Sequence, residues 1–299
     1  MNKKKLQGVW TALITPFDEN EKIDYVSLEK LIIYQIKAKV KGILINGTTG
    51  ESPTLDDDEV IEMIKFAKEK INNQCFLMVG TGTNNTKKSI KKTIQATKAG
   101  ADFILLVTPY YNKPTQKGLY LHFKAIALST HLPIIIYNIK GRTAVNLEKE
   151  TLFKLAKEVK NIIGVKEASG DLAQINEVCQ KRPKNFIVFS GDDNIANQII
   201  LDYKADGVIS VASNIVPEKI VEMINESLKN NKNKSKQLNE NLKELFSILF
   251  IETNPIPVKY IASRMNFCKN IFRLPMCPIS KKNAEIINKI LIKSKLIKI

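Results

Sequence analysis

One lysine stands where a short apolar run ends and a polar, glycine-containing turn begins. The run Ile162–Val165 has the composition of a buried parallel strand, and Lys166 follows it directly. Burial disfavours the charged form of lysine, and a neutral lysine amine can form an imine with a carbonyl compound. Lysine is abundant in this chain and usually a solvated surface charge. The position of Lys166, rather than its type, makes it a candidate nucleophile.

Polar side chains that could support imine chemistry follow several other short apolar runs. Hydroxyl and phenol groups move protons, and an arginine binds a carboxylate through two parallel hydrogen bonds. Each segment alone also has a structural explanation, as a tight turn, a packing contact or an ion pair. The segments are Gly47-Thr48-Thr49-Gly50-Glu51-Ser52, Thr108-Pro109-Tyr110-Tyr111, Tyr137-Asn138 with Arg142-Thr143, and Ser190-Gly191-Asp192-Asp193.

The apolar runs alternate with amphipathic segments, and this alternation predicts how the polar segments are positioned. Eight strand–helix units predict an α/β fold, a closed (β/α)8 TIM barrel, whose active site forms at the C-terminal ends of the strands. No Gly-x-Gly-x-x-Gly segment opens a helix after a strand, so a dinucleotide-binding fold has no support. The predicted strands are Val9–Ile14, Gly42–Asn46, Phe76–Gly80, Phe103–Val107, Pro133–Tyr137, Ile162–Lys166, Phe186–Ser190 and Gly207–Val211.

The predicted helices divide the chain into two parts. From about residue 231 a polar link, Asn231–Ser235, is followed by helical patterns with no strands between them. We therefore predict a barrel catalytic domain at residues 1–230 and a small C-terminal helical domain at residues 231–299. The predicted helices are Val26–Lys39, Asp56–Ile71, Thr86–Ala99, Gln116–Ser129, Lys149–Lys157, Leu172–Gln180, Asn194–Asp202, Pro217–Asn230, Leu238–Ile251, Pro257–Met265 and Lys281–Leu296.

The formal net charge of +16 raises the question of a nucleic-acid partner. Only four of the 46 basic residues are arginine, and the lysines are spread along helices rich in Asn and Ile, which indicates a compositional bias. We expect no nucleic-acid partner. No apolar stretch approaches the roughly 20 residues of a membrane span, and no signal peptide is evident, so we expect a cytoplasmic protein without a membrane partner. Two histidines and four scattered cysteines form no metal-binding pattern, so we expect no metal.

Four segments together resemble the signature segments of the dihydrodipicolinate synthase family of pyruvate-dependent class I aldolases: Gly47-Thr48-Thr49-Gly50-Glu51-Ser52, Thr108-Pro109-Tyr110-Tyr111, Tyr137-Asn138 with Arg142-Thr143, and Gly164-Val165-Lys166-Glu167. The likeness runs from about Val9 to Ser280 and includes Asn254-Pro255-Ile256-Pro257-Val258-Lys259 in the helical tail. It implies condensation of pyruvate with L-aspartate 4-semialdehyde to give 4-hydroxy-tetrahydrodipicolinate, the first committed step of the diaminopimelate route to lysine. The resemblance implies no cofactor other than the covalent imine between pyruvate and Lys166.

The resemblance also implies roles for individual residues. Tyr137 would donate and accept protons beside the imine on Lys166, and Thr49 and Tyr111 would complete a hydroxyl relay with it. The remaining implied contacts are with substrate: Thr48 and Thr49 with the pyruvate carboxylate, Gly191 and Ile209 with the pyruvate pocket, and Arg142 with the carboxylate of the second substrate.

Arg142 distinguishes the alternatives within the family. The sialic-acid (N-acetylneuraminate) lyases generally lack this arginine and usually carry Ser-Thr-Gly where this chain has Thr48-Thr49-Gly50. The sequence therefore favours a synthase over another pyruvate-dependent lyase or 2-oxo-sugar-acid aldolase. A different class, a basic barrel that binds polyanions and has lost catalysis, remains as the second hypothesis. The chain also departs from the family pattern near Arg142, where Ile139-Lys140 replaces Val-Pro and Ala144 replaces a glycine.

The resemblance further implies assembly and regulation. The residue matching Tyr111 reaches into the neighbouring subunit's site in a tight dimer, so we expect a homotetramer built as a dimer of dimers. Ser52, Asn84 and Tyr110 match the pattern by which many relatives bind lysine. Asp57, Val60 and Lys88 do not match it: Asp57 and Val60 replace histidines, and Lys88 replaces the glutamate that would bind an ammonium group. We predict that feedback inhibition by lysine is lost.

Overall fold

The computed structural model describes residues 3–297 and shows eight parallel strands closed into one barrel. The strands follow one another around the ring in chain order, and β8 pairs with β1 to close it. The predicted TIM barrel is therefore confirmed. The strands are β1 (Gly8–Ala12), β2 (Gly42–Ile45), β3 (Phe76–Gly80), β4 (Phe103–Val107), β5 (Ile134–Asn138), β6 (Ile162–Glu167), β7 (Ile187–Ser190) and β8 (Gly207–Ser210).

Helices follow the strands at nearly the predicted boundaries. Side-chain caps fix several helix starts: Asp24 accepts a hydrogen bond from Ser27 N, and Asp171 accepts from the backbone of Ala173 and Gln174. The barrel's helices are α1 (Tyr25–Lys37), α2 (Asp57–Ile71), α3 (Thr86–Ala99), α4 (Gln116–Ala127), the short α5 (Lys140–Thr143), α6 (Lys149–Glu158), α7 (Leu172–Lys181), α8 (Asp193–Tyr203) and α9 (Pro217–Leu228).

The C-terminal part differs from the prediction at its start. The segment Asn231–Ser235 was predicted as a polar link, and this prediction is wrong, because a helix begins at Lys232 and buries Ser235. The predicted helix Leu238–Ile251 is interrupted after Glu240, so that two shorter helices form. The C-terminal helices are α10 (Lys232–Glu240), α11 (Lys243–Ile248), α12 (Ile256–Arg264) and α13 (Lys281–Lys293). The division into two domains at residue 230 stays a prediction. The outer ends of the two predicted domains, residues 1–2 and 298–299, lie outside the described residues.

Two apolar clusters account for the core. One lies between the strands and the surrounding helices, and the other fills the barrel interior, where Trp10 stacks on Phe76 and meets Phe103 edge to face. Tyr137 and Ile209 belong to the interior cluster, close to the ends of their strands. Within residues 3–297, no helix combines the length and apolar character that crossing a membrane requires.

A β-bulge in β6 decides which side of the sheet Lys166 faces. Ile134 pairs with Ile162, but the next residue, Ile135, pairs with Gly164, so Ile163 is an extra residue in the strand. Ile162 packs in the outer cluster. Because side chains alternate along a strand, Lys166, four residues after Ile162, would also point outward if the strand were regular. The bulge turns Lys166 toward the barrel interior.

Candidate active site

Lys166 lies buried at the C-terminal end of β6, only 5% exposed. Its Nζ is 4.2 Å from the centroid of the Tyr137 ring, on the neighbouring strand β5. Burial lowers the pKa of Lys166 to about 8, while the negative charge of Asp193 opposes this change and the positive charge of Arg142 adds to it. A lysine with this pKa has far more neutral amine near neutral pH than a surface lysine, so it is suited to attack a carbonyl group.

Gly191 lies beside this lysine, and Ile209 lies in the barrel interior. A Cβ at Gly191 would lie 2.6 Å from the Cβ of Ala168 and 3.1 Å from Cε of Lys166. A side chain there would therefore collide with Ala168 and crowd the lysine. Ile209 is fully buried in the same interior cluster as Tyr137.

The hydroxyl beside Tyr137 belongs to Thr48, whereas the resemblance assigned the relay to Thr49. Burial raises the pKa of Tyr137, and the charge of Arg142 and the hydroxyl of Thr48 oppose this effect. The phenol therefore stays protonated and can both donate and accept a proton. The Thr49 hydroxyl instead accepts a hydrogen bond of 3.0 Å from Nδ2 of Asn254. Thr48 lines the site cavity together with Tyr137.

Arg142 also lines this cavity, which has a volume of about 420 Å³. It lies in the single helical turn α5, which ends at Ala144 in the left-handed region with φ 58°. An alanine is sterically strained in this region and a glycine is not, which explains why glycine is usual at this position. Nη2 of Arg142 donates to the backbone oxygen of Asn254 at 3.1 Å, so the loop keeps its arginine at the cavity despite both departures from the pattern.

Tyr111 is not brought to the site of its own chain. Its side chain is 89% exposed and its φ is 74°, so the loop holds it outward from the surface. The preceding Tyr110 lines the cavity instead.

The C-terminal helices support the site through contacts that the sequence analysis missed. Lys259 on α12 and Glu51, just after Thr48 and Thr49, form an ion pair with 2.6 Å between Nζ and Oε1, and both side chains are almost fully buried. Asn254 joins Thr49 to Arg142. The sequence carried one signal for this ion pair. Lys259 lies within the apolar segment Ile256–Ala262, and a lysine buried in such a segment requires a charged partner.

Asp193 is a second residue that the sequence analysis left without a role. Its side chain is buried at the start of α8, and Oδ2 accepts hydrogen bonds from the backbone N–H groups of Val211 and Ala212 at 2.8 and 2.9 Å. Its Oδ1 has no hydrogen-bond partner among residues 3–297. Asp193 therefore places a negative charge near Lys166 that raises the pKa of the amine.

Replacing Asp193 with asparagine is expected to lower the pKa of Lys166 further below about 8, because the opposing negative charge is removed. Asparagine can still accept the two backbone hydrogen bonds. The pH profile of kcat/KM for pyruvate reports the pKa values of the free enzyme, and its acidic limb reflects deprotonation of Lys166. This limb should therefore move to lower pH. An unchanged limb, or one moved to higher pH, would contradict this electrostatic role.

Together these features define a class of protein: a TIM barrel with a buried lysine of lowered pKa beside a buried phenol, at the C-terminal ends of its strands. Such a site is equipped for imine chemistry of the class I aldolase kind. No group of three or more His, Cys, Asp or Glu side chains placed to hold a metal ion occurs in the described part of the chain.

Comparison with known proteins identifies the family. Residues 5–294 match the model of the dihydrodipicolinate synthetase family. The 4-hydroxy-tetrahydrodipicolinate synthase of Endomicrobium trichonymphae is 48% identical over 276 residues, covering 92% of this chain and 94% of that protein. The enzyme of the same name from Fervidobacterium nodosum is 43% identical over 284 residues, covering 95% and 97%. The chain therefore belongs to the dihydrodipicolinate synthetase family, and it is a lyase of that family.

Solved structures agree with this assignment. The dihydrodipicolinate synthase of Aquifex aeolicus has a TM-score of 0.95 at 41% identity, covering 97% of this chain and 98% of that one. The enzyme of Cyanidioschyzon merolae, solved with lysine bound, has a TM-score of 0.94 at 34% identity, covering 98% and 99%.

Proposed function

We propose that this chain condenses pyruvate with L-aspartate 4-semialdehyde to give 4-hydroxy-tetrahydrodipicolinate, through an imine between pyruvate and Lys166. The observation that carries the proposal is the buried Lys166 amine, with its lowered pKa, against the Tyr137 ring. The names of the similar enzymes support the choice of substrates. A catalytically inactive polyanion-binding barrel would have no need of a buried amine at this position.

The proposed sequence begins with attack of the neutral Lys166 amine on the C2 carbonyl of pyruvate, and water leaves to form the imine. Loss of a proton from C3 gives the enamine, whose C3 then attacks the aldehyde carbon of the second substrate. The amino group of that substrate displaces Lys166 from C2, which closes the ring and restores the free lysine. Tyr137 carries protons to and from the reacting groups, with Thr48 as the adjacent hydroxyl. The covalent imine takes the place of a cofactor.

The other site residues have supporting roles in this proposal. Thr48, Thr49 and the amides of their turn hold the pyruvate carboxylate, and Gly191 and Ile209 shape the pyruvate pocket. Arg142, which lines the cavity, binds the carboxylate of the second substrate. Its presence favours a synthase over a lyase acting on N-acetylneuraminate.

A direct comparison of substrates tests the proposal. Purified protein should convert pyruvate and aspartate semialdehyde in an assay coupled to the next reductase, and should not cleave N-acetylneuraminate. Arg142→Ala should raise KM for aspartate semialdehyde while pyruvate still forms a reducible imine. Cleavage of N-acetylneuraminate without condensation would overturn the choice of substrate.

We also propose that the functional form is a homotetramer, a dimer of dimers in which Tyr111 enters the site of the neighbouring subunit. Its 89% exposure and outward-directed loop support this assembly, because tyrosine is enriched at protein–protein interfaces. Mixed dimers of Tyr111→Phe and Lys166→Ala chains should recover activity that neither variant has alone. If subunits exchange and no activity returns, Tyr111 does not act across the dimer.

Regulation by lysine is proposed to be absent. Lys88 and Lys92 line the cavity beside Ser52 and Tyr110, and the carboxylate of Asp57 is already bound by Lys91 and Lys92 at 2.8 Å each. A lysine ligand would therefore meet like charge where its ammonium group needs a carboxylate. Millimolar lysine should neither inhibit the enzyme nor give a calorimetric binding signal. Inhibition at sub-millimolar lysine would contradict this prediction.

A further inference from the structure

The residue that follows Lys166 is a buried acid that the proposed chemistry does not use. Glu167 is 1% exposed and, by the alternation of the strand, its side chain lies on the opposite face of the sheet from Lys166. Burial raises the pKa of its carboxyl group, and hydrogen bonds from surrounding donors oppose that effect. A buried carboxyl group requires such donors. The residues that supply them show which segments of the chain Glu167 connects.

The donor on the neighbouring strand is Asn138, which is the residue after Tyr137. Nδ2 of Asn138 lies 3.2 Å from Oε1 and 3.3 Å from Oε2 of Glu167. In the sheet, Asn138 pairs with Glu167 and Tyr137 pairs with Lys166. The two outward-facing polar residues therefore bridge β5 and β6 directly behind the two residues that face the substrate.

The Asn138 side chain cannot rotate to suit a different partner. Its Oδ1 accepts from Leu147 N at 3.0 Å, and its Nδ2 also donates to Oδ1 of Asn146 at 2.9 Å. Glu167 has two further donors, Ser169 N at 2.8 Å and Nε2 of Gln174 at 3.4 Å. The network thus fixes the ends of both strands, the turn after Lys166 and the start of α7.

We propose that Glu167 is a positioning residue for the reaction: through Asn138 it holds Lys166 against Tyr137, at the 4.2 Å separation between Nζ and the ring centroid. This inference rests on the proposed function, because it assumes that Lys166 forms the imine and that Tyr137 moves the protons. Small displacements of reacting groups cost large factors in rate, so the network matters for the reaction as well as for folding.

Glu167→Gln tests the inference with almost no change in shape. The new amide oxygen can still accept from Ser169 N, but the amide NH2 takes the place of Oε2 and so faces the N–H groups of Asn138 and Gln174, from which it cannot accept. The single-turnover rate of forming a borohydride-reducible pyruvate adduct should fall by about tenfold to a hundredfold, as is typical when a supporting hydrogen bond behind a reactive group is lost. If the glutamine variant does not fold, Gln174→Leu removes one donor only and should slow adduct formation less, in the same direction.

The reciprocal double variant separates positioning from general stability. In Asn138→Asp/Glu167→Gln the donor and acceptor exchange places and the charge of the pair is kept, so part of the lost rate should return, although the aspartate no longer donates to Oδ1 of Asn146. The matched control is Asn161→Ala at the opposite end of β6, where the side chain donates to the backbone oxygens of Ala127, Thr130 and Leu132. This control should lower the unfolding midpoint and leave the rate of adduct formation unchanged.

The outcomes are distinct. A slowed glutamine variant, recovery in the double variant and a normal rate in Asn161→Ala would support positioning by Glu167. A wild-type rate in Glu167→Gln, no recovery in a folded double variant, or equal slowing in Asn161→Ala would overturn it. Failure of the wild-type chain to form any adduct would instead overturn the proposed function.

Discussion

Replacing Lys166 with alanine is expected to abolish turnover and leave the fold intact. Removal of the attacking group of a covalent enzyme costs on the order of 10⁶-fold in kcat. Among residues 3–297, Lys166 alone has its amine over the Tyr137 ring, so no neighbouring amine substitutes for it. Steady-state turnover in the coupled assay measures the loss, and thermal unfolding followed by circular dichroism reports the fold.

The free energy of unfolding should change little in this variant, because two effects oppose each other. The pKa of Lys166 in the folded chain, about 8, lies below its usual 10.5, so burial of the charged form destabilises the fold at neutral pH by roughly 3 kcal/mol. This cost is complete below about pH 8 and disappears as pH rises through the usual lysine value. Alanine removes that cost and also removes three buried methylene groups, worth about 0.8 kcal/mol each.

The matched control is Lys160→Ala, an exposed lysine just before the same strand. This variant should keep wild-type turnover. Residual condensation by Lys166→Ala above the uncatalysed rate, or an equal loss in Lys160→Ala, would contradict the role given to Lys166.

Replacing Lys259 with methionine is expected to lower the free energy of unfolding by about 3–5 kcal/mol, the usual cost of removing one partner of a buried ion pair. Glu51 would be left as an uncompensated buried charge two residues after Thr49. The change also removes a cation 4.1 Å from the centroid of Phe17. Urea unfolding measures the effect, and the turn carrying Thr48 should lose order with it.

The double variant Glu51→Leu/Lys259→Met provides the control. Since replacing both charges with apolar groups avoids the unpaired carboxylate, it should recover a large part of the lost stability. If Lys259→Met costs less than about 1 kcal/mol, the value typical of an exposed pair, the ion pair does not hold this turn.

Periodicity predicted the barrel well because parallel strands buried on both faces give continuous apolar runs, and amphipathic helices follow each run. It failed where a single residue decides the geometry. Nothing in Ile162–Ile163–Gly164 indicates which residue bulges, because all three are compatible with a buried strand. The bulge is nevertheless what turns Lys166 inward.

The residue types in the sequence predicted candidate site residues but not the contacts between them. Thr48 and Thr49 are identical in chemistry, and only the path of the turn decides which hydroxyl lies near Tyr137 and which binds Asn254. The start of α10 was missed because its residues are almost all polar, and the helix forms through packing on α9 rather than through its own apolar face. The pair Glu51–Lys259 joins residues 208 positions apart, a separation that periodicity cannot detect.

The most direct test of the central claim is to identify the residue that carries pyruvate. The intact protein is incubated with pyruvate, reduced with sodium borohydride, digested and analysed by tandem mass spectrometry. We predict one reduced pyruvyl group per chain, on the peptide containing Lys166 and on that lysine alone. An adduct on a different lysine, or no adduct at saturating pyruvate, would contradict the account.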